Sequence, residues 1–242
     1  PQDSFTVSGS NLVFDSALTS SDSIDFVVAL GDVLGVGSVT DGAITTAKIG
    51  NDAVTNAKID TMAASKLTGT IDAARFPTGS IIQTQYLQYT GTTSTACPNT
   101  ANQSLDYLSV NITPTSTSSI IKIDAMVNGE WSYSAASYNS TWFFYRDATK
   151  LSHAVTGVRN VGVLMATAIS YTSADAGSTP ETAYYSYFDA PSSTSQLTYK
   201  VAVNQGSGSN ATWYTNRTVS TDTADYQMEN GTSFICVTEI AA

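Results

Sequence analysis

The feature that most limits what this chain can fold into lies between Val39 and Ile59. A nine-residue phrase occurs there twice, ten residues apart: Asp41-Gly-Ala-Ile-Thr-Thr-Ala-Lys-Ile49, then Asn51-Asp-Ala-Val-Thr-Asn-Ala-Lys-Ile59. Repetition at a fixed period implies one small unit stacked on its neighbours. The large apolar residues Ile44, Ile49, Val54 and Ile59 recur with alanines between them. A single chain would leave that stripe in water. Several parallel copies could bury it along a common axis, as a/d seams do in coiled coils. The period matches neither a heptad nor an eleven-residue repeat. Short helical turns joined by extended links therefore compete with a continuous rod. A second stretch, Ala63-Ala-Ser-Lys-Leu-Thr-Gly-Thr-Ile71-Asp-Ala-Ala-Arg-Phe-Pro77, follows and ends in a turn signal.

Composition decides the class of the remainder. Charged residues make up 12% of the chain, while 32 serines, 35 threonines and 13 tyrosines dominate it. Thr and Tyr favour strands. Residues 1–38 read as a small β unit: Phe5 and Val7 alternate with polar neighbours, and Ile24, Phe26, Val28 and Leu30 lie two apart. Residues 39–78 form the repetitive segment. From 79 to 242 short strands follow one another. Ile81–Tyr89 is the first. Leu108, Val110 and Ile112 lie on one face, after a loop at 90–104 that holds Cys97. Ile121, Ile123, Ala125 and Val127 oppose Lys122, Asp124 and Met126. Asn128-Gly129 reads as a hairpin turn. Trp142-Phe-Phe-Tyr145, Val161–Ile169, Tyr184–Phe188, Leu197–Val203 and Phe234–Ile240 complete the set. Eight to ten such strands indicate a β-sandwich, most plausibly a jelly roll.

The formal net charge is −10, which argues against nucleic acid as a partner. No apolar run is long enough for a transmembrane helix, and Pro1-Gln-Asp-Ser does not read as a secretory leader. Cys97 and Cys236 fit no zinc motif, and their sequence leaves open whether they pair. The single histidine, His153, has no nucleophile elbow beside it. The acids of the head show no spacing that singles out a glycosidase pair. Asp222, Asp225 and the Asn230-Gly231 turn come nearest to a calcium loop and fall short of one. The chain is read as a non-enzyme with no cofactor and no metal.

The run DGAITTAKIGNDAVTNAKI followed by AASKLTGTIDAARFP resembles the stalk repeats of tail fibre and related virion fibre proteins of tailed bacteriophages, particularly marine ones. The opening DSFTVSGSNLVFDSALTSSDSIDFVV is similar to the β unit that precedes such repeats. The segment VNITPTSTSSIIKIDAMVNGEWS and the ending FICVTEIAA resemble the terminal domain of the same fibres. The resemblance implies a homotrimeric virion protein with a small N-terminal β unit, a repetitive trimeric shaft and a C-terminal β-sandwich head. Its partners would be two further copies, other virion proteins on the N-terminal side, and a host surface glycan or protein bound by the head. A capsid fibre or decoration protein with a purely structural role is the alternative; a polysaccharide-degrading tailspike is a third.

If the head binds a receptor, rigid aromatic side chains on loops are the expected contacts. The loops richest in them are Ser132–Thr141, Tyr171–Glu181 and Ala211–Asn216. Tyr138, Tyr171 and Trp213 are the candidates.

Overall fold

A computed structural model of the chain describes residues 5–9, 11–23, 41–61, 69, 71–72, 75–154, 157–169, 178–224, 226 and 228–242. The chain divides into two compact units, Pro1–Thr68 and Gly69–Ala242.

In the first unit, β1 (Phe5–Ser8) and β2 (Asn11–Phe14) form an antiparallel hairpin with Phe5 opposite Phe14. Gly9 supplies the left-handed residue of its turn, at φ 61°. The strand expected over Ile24–Leu30 lies outside the described residues. The two copies of the repeat share one local structure. Each opens on a turn whose second residue is left-handed, Gly42 at φ 77° and Asp52 at φ 62°. Glycine has no Cβ to clash there, and aspartate is among the few residues that tolerate the same region. Each then makes a single 3-10 turn, Thr46–Lys48 and Asn56–Lys58. The Lys48 N–H donates to Thr45 O and the Lys58 N–H to Thr55 O, both at 2.9 Å. The lysine ammonium folds back onto the carbonyl five residues earlier, Lys48 on Ala43 and Lys58 on Ala53, both at 2.7 Å. The ten-residue period is thus short turns joined by extended links. Ile44, Ile49, Val54 and Ile59 are all exposed.

The second unit is a sandwich of two antiparallel sheets. The larger, seven-stranded sheet holds β3 (Ile81–Tyr89), β4 (Thr93–Cys97), β6 (Ile120–Trp131), β10 (Ala168–Ile169), β11 (Glu181–Asp189), β13 (Ala211–Thr215) and β14 (Ser233–Ile240). The five-stranded sheet holds β5 (Asn102–Ile112), β7 (Ser140–Arg146), β8 (Thr149–Leu151), β9 (Leu164–Met165) and β12 (Leu197–Gln205). The main strands pair in the orders β3-β14-β6-β11 and β5-β12-β7-β8. The first and last strands lie side by side, and the chain winds back and forth between the sheets. That is the jelly-roll order. The Gly79 N–H donates to Ala241 O at 2.7 Å and the Ala241 N–H to Ser80 O at 2.9 Å. The unit therefore begins and ends at one end of the sandwich, here the near end. β6 runs away from it to the far end.

Alternation places the core. In β6 the odd-numbered Ile121, Ile123, Ala125 and Val127 are buried between the sheets, and Lys122, Asp124, Met126 and Asn128 face out. Ile235 and Val237 of β14, Leu105, Leu108 and Ile112 of β5, Tyr199, Val201 and Val203 of β12, and Trp142 and Phe144 of β7 meet them. Each such side chain contributes about 1.5–3 kcal/mol by leaving water. Phe144 stacks on Tyr185 at 4.5 Å between centroids.

Three local expectations change. Asn128-Gly129 is not a turn but lies inside β6. A Cβ on Gly129 would sit 2.1 Å from Tyr214 O and 2.6 Å from the Trp213 ring, so glycine is there for close approach of backbone and ring. The apolar run Val161–Ile169 does not form one strand. It supplies β9 to one sheet and β10 to the other, with Ala166 left-handed at φ 62° between them. Residues 90–104 are not all loop, because β4 occupies the middle and buries Cys97. Both cysteines are free.

Candidate functional site

α1 (Ser134–Tyr138) is a single helical turn at the far end, between β6 and β7. Ala136 and Ser137 face inward, while Tyr133 and Tyr138 are exposed, Tyr138 at 66%. A dense polar network fixes this turn from below. Ser137 Oγ donates to Glu181 Oε1 at 2.9 Å, and the Thr167 N–H donates to Ser137 O at 2.9 Å. Trp131 Nε1 and Trp142 Nε1 both donate to Thr167 Oγ1, at 3.2 and 3.0 Å. That hydroxyl then donates to Ser140 Oγ at 3.0 Å, and Ser140 donates onward to Ser137 O at 3.3 Å. Tyr138 therefore projects from a rigid base, which lowers the entropy cost of using it as a contact.

Trp213 does not belong to this surface. It is wholly buried, because β13 alternates and directs Ala211, Trp213 and Thr215 inward and Thr212 and Tyr214 outward. Its ring packs edge-on against Trp131 at 5.3 Å and Trp142 at 5.1 Å. An indole enclosed by two others cannot meet a macromolecule outside. Trp213 is thus corrected from contact residue to core. Tyr171 lies outside the described residues.

The buried acids act as fasteners. Glu239 is fully enclosed at the near end. It accepts from the Thr115 N–H and hydroxyl, both at 2.7 Å, from Ser119 Oγ at 2.6 Å and from Gln83 Nε2 at 2.7 Å. Burial alone would raise its carboxyl, but these hydrogen bonds together hold it below the usual range. Asp189 takes Arg146 on both oxygens at 2.8 Å and the Tyr199 hydroxyl at 2.7 Å. Glu130 accepts from the Thr179 N–H at 2.9 Å and the Val219 N–H at 2.5 Å, tying down two far-end loops. Glu181 is the exception. Its Oε2 is buried with no partner among the described residues. Burial, with a smaller push from Glu130, raises its carboxyl to about 7 against the pull of Ser137 and the Trp131 N–H. His153 Nδ1 meets the carbonyl of adjacent Ala154 at 2.7 Å. Among the described residues no cluster of three or more His, Cys, Asp or Glu could hold a metal, and no helix is long and apolar enough to cross a membrane.

A larger surface emerges from strand pairing. On the outward face of β3-β14-β6-β11, Tyr86, Cys236, Asp124 and Ser186 form one row. Gln88, Phe234, Met126 and Tyr184 form the next, and Thr84, Thr238, Lys122 and Phe188 a third. Tyr86, Tyr184 and Phe188 stand 74%, 60% and 59% exposed. They rise from the outer strands, while the inner strands carry half-buried Cys236, Thr238, Asp124 and Met126. The face is a shallow trough with aromatic walls. Its charges cancel inside the chain: Lys122 Nζ lies 2.8 Å from Asp124, which also accepts from Ser186 Oγ. The alternation of β6 announced one column of this face. The neighbouring columns come from strands distant in sequence, so only the pairing assembles them.

No protein-family model matches the chain. No curated protein matches it significantly.

Proposed function

We propose that the protein is a virion fibre component that assembles as a homotrimer and attaches to a host cell-surface molecule through the second unit. The observation that carries the reading is the pair of apolar surfaces a single chain leaves uncovered: the Ile44-Ile49-Val54-Ile59 stripe and the aromatic trough on β3-β14-β6-β11. Four strands about 4.8 Å apart and nine residues of about 3.4 Å give the trough a footprint of about 600 Å². That whole-face area approaches the about 800 Å² one partner gives a standard interface. Walls and floor on the same face suit head-to-tail packing, in which the wall of one copy enters the trough of the next and the ring closes. The chain carries −10 overall, yet the trough is neutral, so like copies meet there without charge repulsion.

The repeats would bury their stripe against the same stripe of the other copies, as a shaft. Attachment would then rest on multivalency, with weak contacts multiplied by three copies per fibre and several fibres per particle. Tyr138, exposed on its braced turn, is the far-end contact. The test is competition: purified chain added to host cells should lower adsorption of the virus that carries it, and Tyr138→Ala should compete less well. Chain that reaches the cells' medium without lowering adsorption would contradict attachment and leave a structural projection.

A further inference from the structure

We propose that the groove on the outward face of the β5-β12-β7-β8 sheet is a binding site for an uncharged hexopyranose unit of a surface oligosaccharide. The proposal rests on the attachment reading above and gives it a ligand class. The groove holds about 320 Å³ and is lined by Asn102, Ser104, Tyr145, Asp147, Ala148 and Lys200. Register creates it. Lys200 of β12 lies beside Tyr145 of β7, Asn102 opens β5, and Asp147 begins the turn from β7 to β8. The residues that form it are therefore scattered over a hundred positions of sequence but fixed on adjoining strands.

Its floor is a rigid aromatic. Tyr145 meets the Phe143 ring edge-on at 5.3 Å, and Lys150 sits 4.0 Å above Phe143. A half-buried tyrosine ring held in this way offers its face to the C–H face of a sugar at little entropic cost. Around it, polar groups retain unused capacity. Asn102 Oδ1 accepts from Lys150 at 3.1 Å and Asn204 at 3.0 Å, leaving the amide N–H donors of Asn102 without partners among the described residues. Lys200 gives one proton to Asp106 at 2.9 Å and keeps two. Asp147 Oδ1 accepts from the Thr198 N–H at 2.9 Å, and Oδ2 remains open. The Tyr145 hydroxyl has no partner among the described residues either. Donors and acceptors thus share one lining, which is what vicinal hydroxyls, each both donor and acceptor, require.

Charge selects against an ion. Lys150 and Lys200 are balanced by Asp106 and Asp147, so the groove has no net field to hold an acidic sugar. The site also lies on the sheet opposite the trough, and so stays open when copies pack through that trough.

The test is saturation-transfer NMR on the full chain, with maltotriose, lactose and chitobiose as neutral probes and galacturonic acid as the charged one. Saturation should pass to at least one neutral probe. Tyr145→Ala and Asn102→Asp should each weaken that binding about tenfold, the loss of one good contact. Asn102→Asp keeps the acceptors for Lys150 and Asn204 while removing the free donors, so it decides the matter even if Tyr145→Ala disturbs the sheet. No transfer to any neutral probe, transfer to galacturonic acid alone, or neutral binding untouched by both variants would overturn the proposal. Competition for adsorption is read separately, so an empty groove in a chain that still competes sinks the groove and not attachment.

Discussion

The two outward faces of the sandwich are built by the same rule and end in opposite chemistry. On β3-β14-β6-β11 the outward positions carry Tyr86, Tyr184, Phe188, Phe234 and Met126 beside Thr84, Thr238, Ser186 and Gln88, with the Lys122–Asp124 pair neutralised between them. On β5-β12-β7-β8 they carry Ser109, Lys200, Tyr145 and Lys150 in one row and Asn102, Asn204 and Thr141 in another. Both sheets bury their other face in one core. The difference teaches that alternation alone specifies a sandwich, whereas the identity of the outward residues specifies what each face meets. The first leaves large aromatics exposed; the second buries Phe143 and Ala202 of its outward side and presents polar groups around them.

The largest expected effect comes from charging the apolar face. Tyr86→Asp together with Phe188→Asp should abolish assembly, since central aromatic contacts are worth about 2 kcal/mol or more each. Lys200→Glu on the polar face should leave the assembled mass unchanged. Light scattering across a dilution series reads both, and an assembled Tyr86/Phe188 double variant would break the contrast between the faces.

Next is the contrast between an interior and an outward aromatic. Trp213→Ala empties a wholly buried site and should cost about 3–5 kcal/mol. Tyr138→Ala should stay within about 0.5 kcal/mol, as exposed substitutions generally do. Urea midpoints at equal slope measure the difference. Equal costs would mean that Trp213 is not the keystone its ring contacts indicate.

The buried acids Glu181 and Glu239 give opposite pH dependences. Glu181 has a folded-state carboxyl raised from 4.5 to about 7. Between those values the folded chain binds more protons than the unfolded one, so stability should fall as pH rises from about 4.5 to about 7, by about 3 kcal/mol in all. Glu181→Gln should remove that slope, measured by urea unfolding at successive pH values. Glu239 works in the opposite sense. Its folded carboxyl is depressed, so its contribution is present above the ordinary carboxylate range and is lost as pH falls through the folded value. A stability profile that rises between pH 5 and 7 in the parent chain would contradict the assignment to Glu181.

The smallest effect belongs to the polar face. Lys200–Asp106 is a 2.9 Å pair whose carboxylate is largely exposed. Lys200→Met should change stability by less than about 1 kcal/mol, and less again in high salt.

Much of the fold was legible in the sequence, and the reasons are particular. Ile121-x-Ile123-x-Ala125-x-Val127 and Leu197-x-Tyr199-x-Val201-x-Val203 are period-two patterns long enough to fix both strand and face, and Trp142-Phe-Phe144 is buried on both sides as its apolarity demands. The decimal repeat likewise revealed a real local unit. What was not legible depended on partners far along the chain. Gly129 reads as a turn until Trp213 and Tyr214 come against it. Trp213 reads as part of a short strand, as β13 is, but also as a surface contact until the pairing of β13 with β6 turns its ring inward. The trough and the groove each draw on three or more strands, so no local window contains either. Aromatic content signalled that surfaces of some kind existed. It could not separate core from contact, because Tyr138 stands exposed at the end of a helical turn while Trp213 lies in a strand paired on both sides, and only the pairing distinguishes them.

In the proposed trimer, the outward face of β3-β14-β6-β11 and the repeat stripe would both be covered by other copies of the chain. The most direct measurement is the solution mass of the intact chain by light scattering after size exclusion. The account predicts three times 25.4 kDa, held on dilution. A mass of 25.4 kDa would contradict it, leaving both surfaces uncovered in solution and the burial argument without a partner.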